Sequence, residues 1–345
     1  MHVMLCLGIE STAHTFGCSI IEMDKKSDTG NTESEFILSE VRDIYKASAG
    51  WGIHPRDASK HHTMVATEIL KKCLEDAGVG IKDIDIVSYS AGPGLGPCLR
   101  IGAVVSRSLA SFHNIPLIPV NHAVGHIELG IKLTGSESPL TLLVSGGHTM
   151  LLIYYKNKWR IFGETLDITL GQLFDQVGRK MGFSSPCGNK IEEVSYLSKS
   201  RKIYPLPYII KGNDVSFSGL LSAVKTLLND NDNDIRDICF SLQETAFSII
   251  VEAVERALAF TGNKEFLIVG GVSANKRLSN MLETACDIHS SNFNSCPQRF
   301  CGDNGTQIAW TGAQMYLNCP SSSVKPENAS VYQSWRLDSV HIPWR

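Results

Sequence analysis

Leu140-Thr-Leu-Leu-Val144-Ser-Gly-Gly-His148-Thr-Met150-Leu-Leu-Ile-Tyr-Tyr155 decides the architecture. Two apolar runs of strand length flank a glycine turn, the mark of a hairpin with buried strands. The opening of the chain has the same layout. Residues 4–9 are apolar, Glu10-Ser11-Thr12-Ala13-His14 is a polar turn, and residues 16–21 form a second strand. Third strands follow over 36–41 and 159–162, and each half then alternates helices with strands. In the first half these are helices over 57–77, 99–112 and 122–133, with strands over 84–89 and 117–120. In the second they are helices over 171–181, 190–197, 219–228, 235–260, 276–286 and 306–317, with a strand over 266–269. A β-meander followed by αβ units, present twice, predicts an α/β fold of two related lobes facing a cleft. The lobes are placed at residues 1–135 and 136–345, the last helices and tail being free to pack back on the first. Residues 25–34 read as a charged loop and residues 320–345 as mostly irregular.

Composition agrees. A chain of 345 residues exceeds the roughly 100–200 of one domain, and 43% apolar with 19% charged residues is ordinary for a globular protein. The formal charge of −3 gives no global attraction for a polyanion, so nucleic acid needs a local basic patch or a basic partner. Ten cysteines are scattered singly, Cys296 and Cys301 being the nearest pair, and no Cys-x-x-Cys appears. That pattern fits reduced buried thiols, not a zinc ribbon or a disulfide framework. The first residues lack a basic leader region and read as a strand, and no apolar stretch reaches membrane length. A soluble, cytoplasmic protein is expected.

Chemistry concentrates at a few places. His122-Ala-Val-Gly-His126 puts two imidazoles one turn apart on one helix face, a spacing that suits one divalent ion. The same spacing fits two histidines along a polar seam, and the glutamate of the HExxH proteases is missing. In Cys301-Gly-Asp303-Asn-Gly305, Asp303 precedes a helix and reads equally as a third ligand or as a helix N-cap. Two histidines and a carboxylate leave positions open for substrate, as a catalytic metal requires. Ser145-Gly146-Gly147, Pro186-Cys187-Gly188 and Gly270-Gly271 lie where strands or loops enter turns, and there backbone N–H groups can approach phosphate. Each alone is an ordinary turn; together they suggest a nucleotide cleft. No Walker P-loop and no strand-borne Gly-x-Gly-x-x-Gly occurs. Asp175, Glu192 and Asn275 could accept or donate to a nucleoside, although such carboxylates are commonly solvated. Arg179-Lys180 and Lys199-Ser-Arg201-Lys202 are basic clusters that fit phosphate contacts or a solvated face.

Several stretches also match one family in order. They include residues 9–15, 92–97, 121–128, 145–149, 163–167 and 217–220, Gly270-Gly271-Val272 with Asn275, and residues 301–305. The chain closely resembles the tRNA N6-adenosine threonylcarbamoyltransferases, specifically the catalytic subunit of the archaeal and eukaryotic KEOPS complex. The resemblance implies a two-lobed actin- and hexokinase-like (ASKHA) fold with a nucleotide between the lobes. It implies transfer of a threonylcarbamoyl group from threonylcarbamoyl-AMP to N6 of the adenosine beside the tRNA anticodon, in tRNAs reading codons that begin with adenine. It further implies that His122, His126 and Asp303 hold one divalent metal, iron (Fe2+) first and zinc second. Leu143, Val144, Ser145, Gly146, Gly147, Asp175, Gly188, Glu192 and Asn275 would hold the acyl-adenylate. The implied partners are tRNA, a kinase-like subunit and a small dimerising subunit.

Two positions depart from that pattern. Leu143 stands where the archaeal branch carries a tyrosine ligand, with His148 nearby in place of asparagine. Cys187 stands in a turn where glycine is usual. Three other readings stay open: a metalloprotease, an ATPase or sugar kinase of the same superfamily, and a non-catalytic scaffold.

Overall fold

Two five-stranded sheets share one strand order. The protein is represented by a computed structural model that describes residues 3–24 and 36–345, so the charged loop expected over 25–34 lies outside the described residues. The first sheet holds β1 (Val3–Glu10), β2 (Thr15–Asp24), β3 (Ile37–Ile44), β4 (Ile86–Gly92) and β5 (Leu117–Asn121), ordered β3-β2-β1-β4-β5. β1 runs antiparallel to β2, as β2 does to β3, whereas β1–β4 and β4–β5 are parallel. The second sheet begins with β6 (Leu140–Val144), β7 (Thr149–Tyr154) and β8 (Trp159–Glu164). A two-residue hairpin, β9 (Ile210–Lys211) and β10 (Asp214–Val215), intervenes before β11 (Glu265–Val269) and β12 (Asn292–Ser295). Its order, β8-β7-β6-β11-β12, repeats the first with the same antiparallel and parallel pairings.

Sequence periodicity missed β12, which completes the duplication. Its Asn-Phe-Asn-Ser carries one large apolar side chain because it is an edge strand paired on one side, and Phe293 stacks on Phe266 of β11 with ring centroids 6.1 Å apart.

The helices form the remaining layers. α1 (Pro55–Ala77) and α2 (Gly96–His113) cover the outer face of the first sheet. α3 (His122–Thr134) lies between the two sheets. α4 (Leu170–Lys180), α5 (Gly188–Tyr196), α6 (Ser218–Leu227), α7 (Ile235–Thr261) and α8 (Lys276–Ile288) belong to the second sheet's side. After the four-residue α9 (Gln298–Cys301), α10 (Gly305–Asn318) returns to pack on β1, β2, β4 and α3.

Strand alternation makes this layering possible. Along β1, Leu7 and Ile9 join the core shared with α1 and α2. Met4 and Cys6 face the other way, into a core shared with α3, α10 and residues Leu143, Leu152 and Trp159 of the second sheet. Gly8 is on that second face, where a Cβ would collide with Ala309 N of α10; Gly305, opposite, would collide with backbone of β2. Glycine at both positions seats α10 directly on the strands.

The tail is irregular, as expected, but it is tied down. Val324 bridges to Leu117, and Tyr332 N donates to Ala91 O at 2.7 Å, both in the first sheet. Further on, Ile342 N donates to Asn157 O at 2.8 Å, and Tyr154 Oη donates to Ile342 O at 2.9 Å, both beside the second. No helix among the described residues is long and apolar enough to cross a membrane.

Candidate metal centre and nucleotide cleft

β5 ends at Asn121, whose side chain accepts from Ala123 N and Val124 N at 3.0 and 3.2 Å and so starts α3. His122 is therefore the first helical residue and His126 follows one turn later, their rings 4.7 Å apart and nearly perpendicular. On the other side Asn304 caps α10, its side chain accepting from Gln307 N at 2.9 Å. Capping thus falls to Asn304, which frees Asp303 of the N-cap role its sequence position also allowed. Because α10 is seated on β1 and β2, Asp303 is carried to the start of α3.

The three side chains converge. His122 Nε2 and His126 Nε2 lie 3.5 and 3.4 Å from the same oxygen, Asp303 Oδ1, and one donor atom from each residue fits within 4.8 Å. Two donors at about 2.0–2.1 Å from a shared tetrahedral ion are about 3.4 Å apart. Donor type and the spacing of each histidine to Asp303 therefore fit a divalent ion. Both histidines are buried, and Asp303 is mostly so.

Glu10, at the end of β1, completes the surroundings. Its carboxylate is fully buried and accepts from Thr12 N at 2.6 Å and Thr12 Oγ1 at 2.5 Å. The other oxygen, Oε2, is 2.9 Å from His122 Nδ1, which leaves Nε2 as the nitrogen facing Asp303. Thr12 Oγ1 and the Gln307 amide lie 3.4 and 3.1 Å from the same Nδ1.

The charges respond to this packing. Burial alone would lower the His122 pKa, but Glu10 and Asp303 outweigh it and push it up to about 9. Burial would raise the Asp303 carboxyl; instead the histidines hold it well below the usual carboxylate range. Burial dominates at His126, which is shifted down, and at His148, lowered to about 3 by burial and by the other two histidines.

The glycine turn lies beside this cluster. Ser145 Oγ accepts from Gly147 N and His148 N at 3.2 and 3.0 Å and shapes the turn. Thr169, the N-cap of α4, donates to Gly146 O at 2.9 Å. Gly146, Gly147, Gly188 and Gly271 have open space where a Cβ would stand, as a cradle for phosphate needs. Gly270 is different: at φ +95° and against Val144 O, it lets β11 turn next to β6.

The remaining expected residues fall in two linked pairs. Asp175 Oδ1 accepts from Cys187 N at 2.6 Å, next to Gly188; burial raises its pKa against that bond. Glu192 Oε1 accepts from Lys276 N at 3.0 Å, beside Asn275, which caps α8 and donates to Gln243 Oε1 at 3.1 Å. Val144 is a buried residue at the end of β6. Leu143 is fully buried in the core with Val124, Ile127 and Val269 and offers no donor. The Cys187 side chain is buried and leaves Gly188 open.

Two of the family-like stretches hold each other. Asp167 accepts from Phe217 N at 2.9 Å and Ser218 Oγ at 2.5 Å, so their role is to fix α6. Sequence reasoning gave no role to Glu10, Thr12, His14 or Gln307. The available signal was an acidic residue closing an otherwise apolar strand.

Comparison with known proteins converges on one family. The profile of the tRNA N6-adenosine threonylcarbamoyltransferases (TsaD) matches residues 36–310. A tRNA N6-adenosine threonylcarbamoyltransferase of Staphylothermus marinus is 44% identical over 343 residues, covering 98% of this chain and 99% of its own. One from Methanopyrus kandleri is 42% identical over 350 residues, covering 99% and 96%. A bifunctional tRNA threonylcarbamoyladenosine biosynthesis protein of Methanosarcina mazei is 44% identical, covering 98% of this chain and 59% of its own. Among solved structures, HypF of T. kodakarensis aligns with a TM-score of 0.59 at 12% identity, over 92% of this chain and 48% of that one. The activator of 2-hydroxyisocaproyl-CoA dehydratase from Clostridium difficile aligns with 0.51 at 12% identity, over 90% and 94%. These likenesses show the actin- and hexokinase-like fold. With the profile matching residues 36–310 and the Staphylothermus marinus and Methanopyrus kandleri proteins matched over nearly their whole length, the chain belongs to the tRNA N6-adenosine threonylcarbamoyltransferase family.

Proposed function

We propose that the chain transfers a threonylcarbamoyl group from threonylcarbamoyl-AMP to N6 of the adenosine next to the tRNA anticodon, in tRNAs reading codons that begin with adenine. The observation that carries this reading is the convergence of His122, His126 and Asp303 within 4.8 Å, beside the open Ser145–His148 turn. The three would hold one ion, iron (Fe2+) before zinc, with Glu10 fixing the His122 tautomer. When bound, the ion supplies Lewis-acid polarisation of the acyl group. Leu143, being apolar, adds no further ligand to the set.

The chain's own residues do the rest. The exposed Gly146–Gly147 turn, shaped by Val144 and Ser145, receives the donor's phosphate. Asp175, Gly188, Glu192 and Asn275 frame the nucleoside, Glu192 keeping Oε2 for a hydroxyl. Adenine N6 attacks the acyl carbon and loses a proton, while the acyl–phosphate C–O bond breaks and AMP departs with the electron pair. No protein nucleophile is required, because the mixed anhydride is already activated.

Residues 1–135 and 136–345 act as the two lobes, with α10 serving the first although it belongs to the second by sequence. We further propose a cytoplasmic role as the catalytic chain of a KEOPS-type assembly, with a kinase-like and a small dimerising subunit. The −3 charge and the Methanosarcina mazei relative, named bifunctional, support partners.

A non-hydrolysable threonylcarbamoyl-adenylate analogue should bind far more tightly than ATP, and phosphate release from ATP without acyl donor should be negligible. Calorimetric titration and a phosphate-release assay check both. Rapid metal-supported ATP hydrolysis would instead favour a kinase-like reading of the same fold.

A further inference from the structure

Residues 45–54 form a loop that joins both sides of the cleft mouth. At its start Tyr45 N donates to His14 O at 2.8 Å, and His14 is among the groups that hold the Asp303 carboxyl down and oppose the burial that raises Asp175. Just before its crest Gly50 N donates to Phe183 O at 3.1 Å, on the turn after α4. The Arg179 guanidinium lies where a side chain on Gly52 would stand, and the same arginine acts on Asp175, next to Cys187 and Gly188. The loop therefore borders the metal cluster on one side and the nucleoside-framing residues on the other.

At its crest is Trp51, 73% exposed. A large aromatic held in water by a loop bonded at both ends needs a reason, because burial is its ordinary fate. Its neighbours are cationic. Lys46, Arg56, Lys60 and Lys180 are exposed, and among the described residues none of these four forms an ion pair. Arg56 and Lys60 share one face of α1. Across residues 42–60 and 179–180 six basic side chains stand against two acidic ones, in a chain whose total is −3. Of the two acids, Asp43 is bound to His61 at 2.7 Å and Asp57 is 3.9 Å from His54.

We propose that this rim is the docking surface for the RNA substrate, with Trp51 stacking on a nucleobase of the loop that presents the target adenine and the surrounding cations holding its phosphates. Single-stranded RNA loops are read in this way, by splayed bases on aromatic faces and by backbone charge. An adenine amine must also be unstacked to reach a reacting group in a cleft, and a stacking face at the mouth compensates that cost. A protein partner would be served less well by a lone ring among unpaired cations than by a contiguous apolar patch.

The inference rests on the proposed transfer to tRNA, so its test reads binding without turnover. The full chain and a fluorescently labelled tRNA transcript are titrated at low salt, about 50 mM. Trp51→Ala should weaken binding about tenfold or more, Trp51→Phe should restore most of it, and Lys46→Ala with Lys180→Ala should flatten the salt dependence. Indole emission should be quenched by tRNA in the wild type and much less in Trp51→Phe. Affinity for the adenylate analogue and metal content should stay unchanged in all variants. Equal tRNA affinity in Trp51→Ala and wild type overturns the proposal, as does a wild-type chain that binds no tRNA. Loss of a protein partner with RNA affinity intact assigns the rim to that partner and overturns it equally. If His126→Ala retained full transfer activity, the reaction would be misread while the RNA titration still reported on the rim.

Discussion

Replacing His126 with Ala is expected to remove essentially all threonylcarbamoyl transfer, a loss of about a thousandfold or more. The residue is buried, and its Nε2 shares Asp303 Oδ1 with His122. Two donors cannot hold a divalent ion as three do, and polarisation by a bound ion is worth several kcal/mol of barrier, each 1.36 kcal/mol being about tenfold in rate. The variant should fold, since alanine keeps the helix and the lost ring faces the other ligands. Reconstituted transfer to tRNA, read with metal content and a thermal melt, separates the outcomes. Undiminished transfer would remove the metal role; a lost melt would show a failure to fold.

The second large effect is on stability. Glu128→Ala is expected to cost about 3 kcal/mol, because it strips the acceptor from a buried cluster. Glu128 lies on α3 two residues after His126, and its carboxylate accepts from Trp159 Nε1 and Trp344 Nε1, each at 3.1 Å, and from Arg345 Nε at 2.9 Å. One side chain therefore ties the helix bearing both histidines to β8 and to the tail. Its loss leaves two indole N–H groups without their acceptor and takes the charge partner from a largely buried guanidinium, which keeps its bond to Glu137 O. Chemical denaturation should show the drop. The Glu128→Ala, Arg345→Ala double variant should lose less than the two single losses added together, because the residues share one interaction. Additive losses would mean that the pair does not interact in solution.

The two predictions differ in how far sequence could reach. His122 and His126 were legible because helical period alone puts residues four apart on one face. Asp303, 177 residues from His126, was ambiguous by itself, and what settled its placement was Asn304 taking the cap and Gly8 with Gly305 letting α10 touch the strands. Such a close approach has no local sequence signal; a glycine in a strand reads as a bulge or a turn. Glu10 and Glu128 show the same limit. Each is an acidic residue at or within an apolar segment, and its value lies in partners contributed by distant elements.

Fold legibility followed the same rule. Strands buried on both faces, such as β1, β4, β6 and β11, were plain in the apolar runs. β3, an edge strand with Ser39, Glu40, Arg42 and Asp43, was placed early and short, and the polar edge strand β12 was missed. Edge strands face solvent on one side and need no continuous apolar run. The duplication was legible in the repeated meander and αβ units, and β12 joining β11 completes it at five strands per sheet.

Transfer that depends on an ion held by His122, His126 and Asp303 must stop when that ion is removed. This is tested most directly by stripping the purified wild-type protein with a chelator, measuring transfer to tRNA, and then adding back iron or zinc. Transfer should be lost on stripping and return near one equivalent of ion per chain, with no return in the stripped Asp303→Ala variant. Full transfer by protein shown to be metal-free would contradict that dependence.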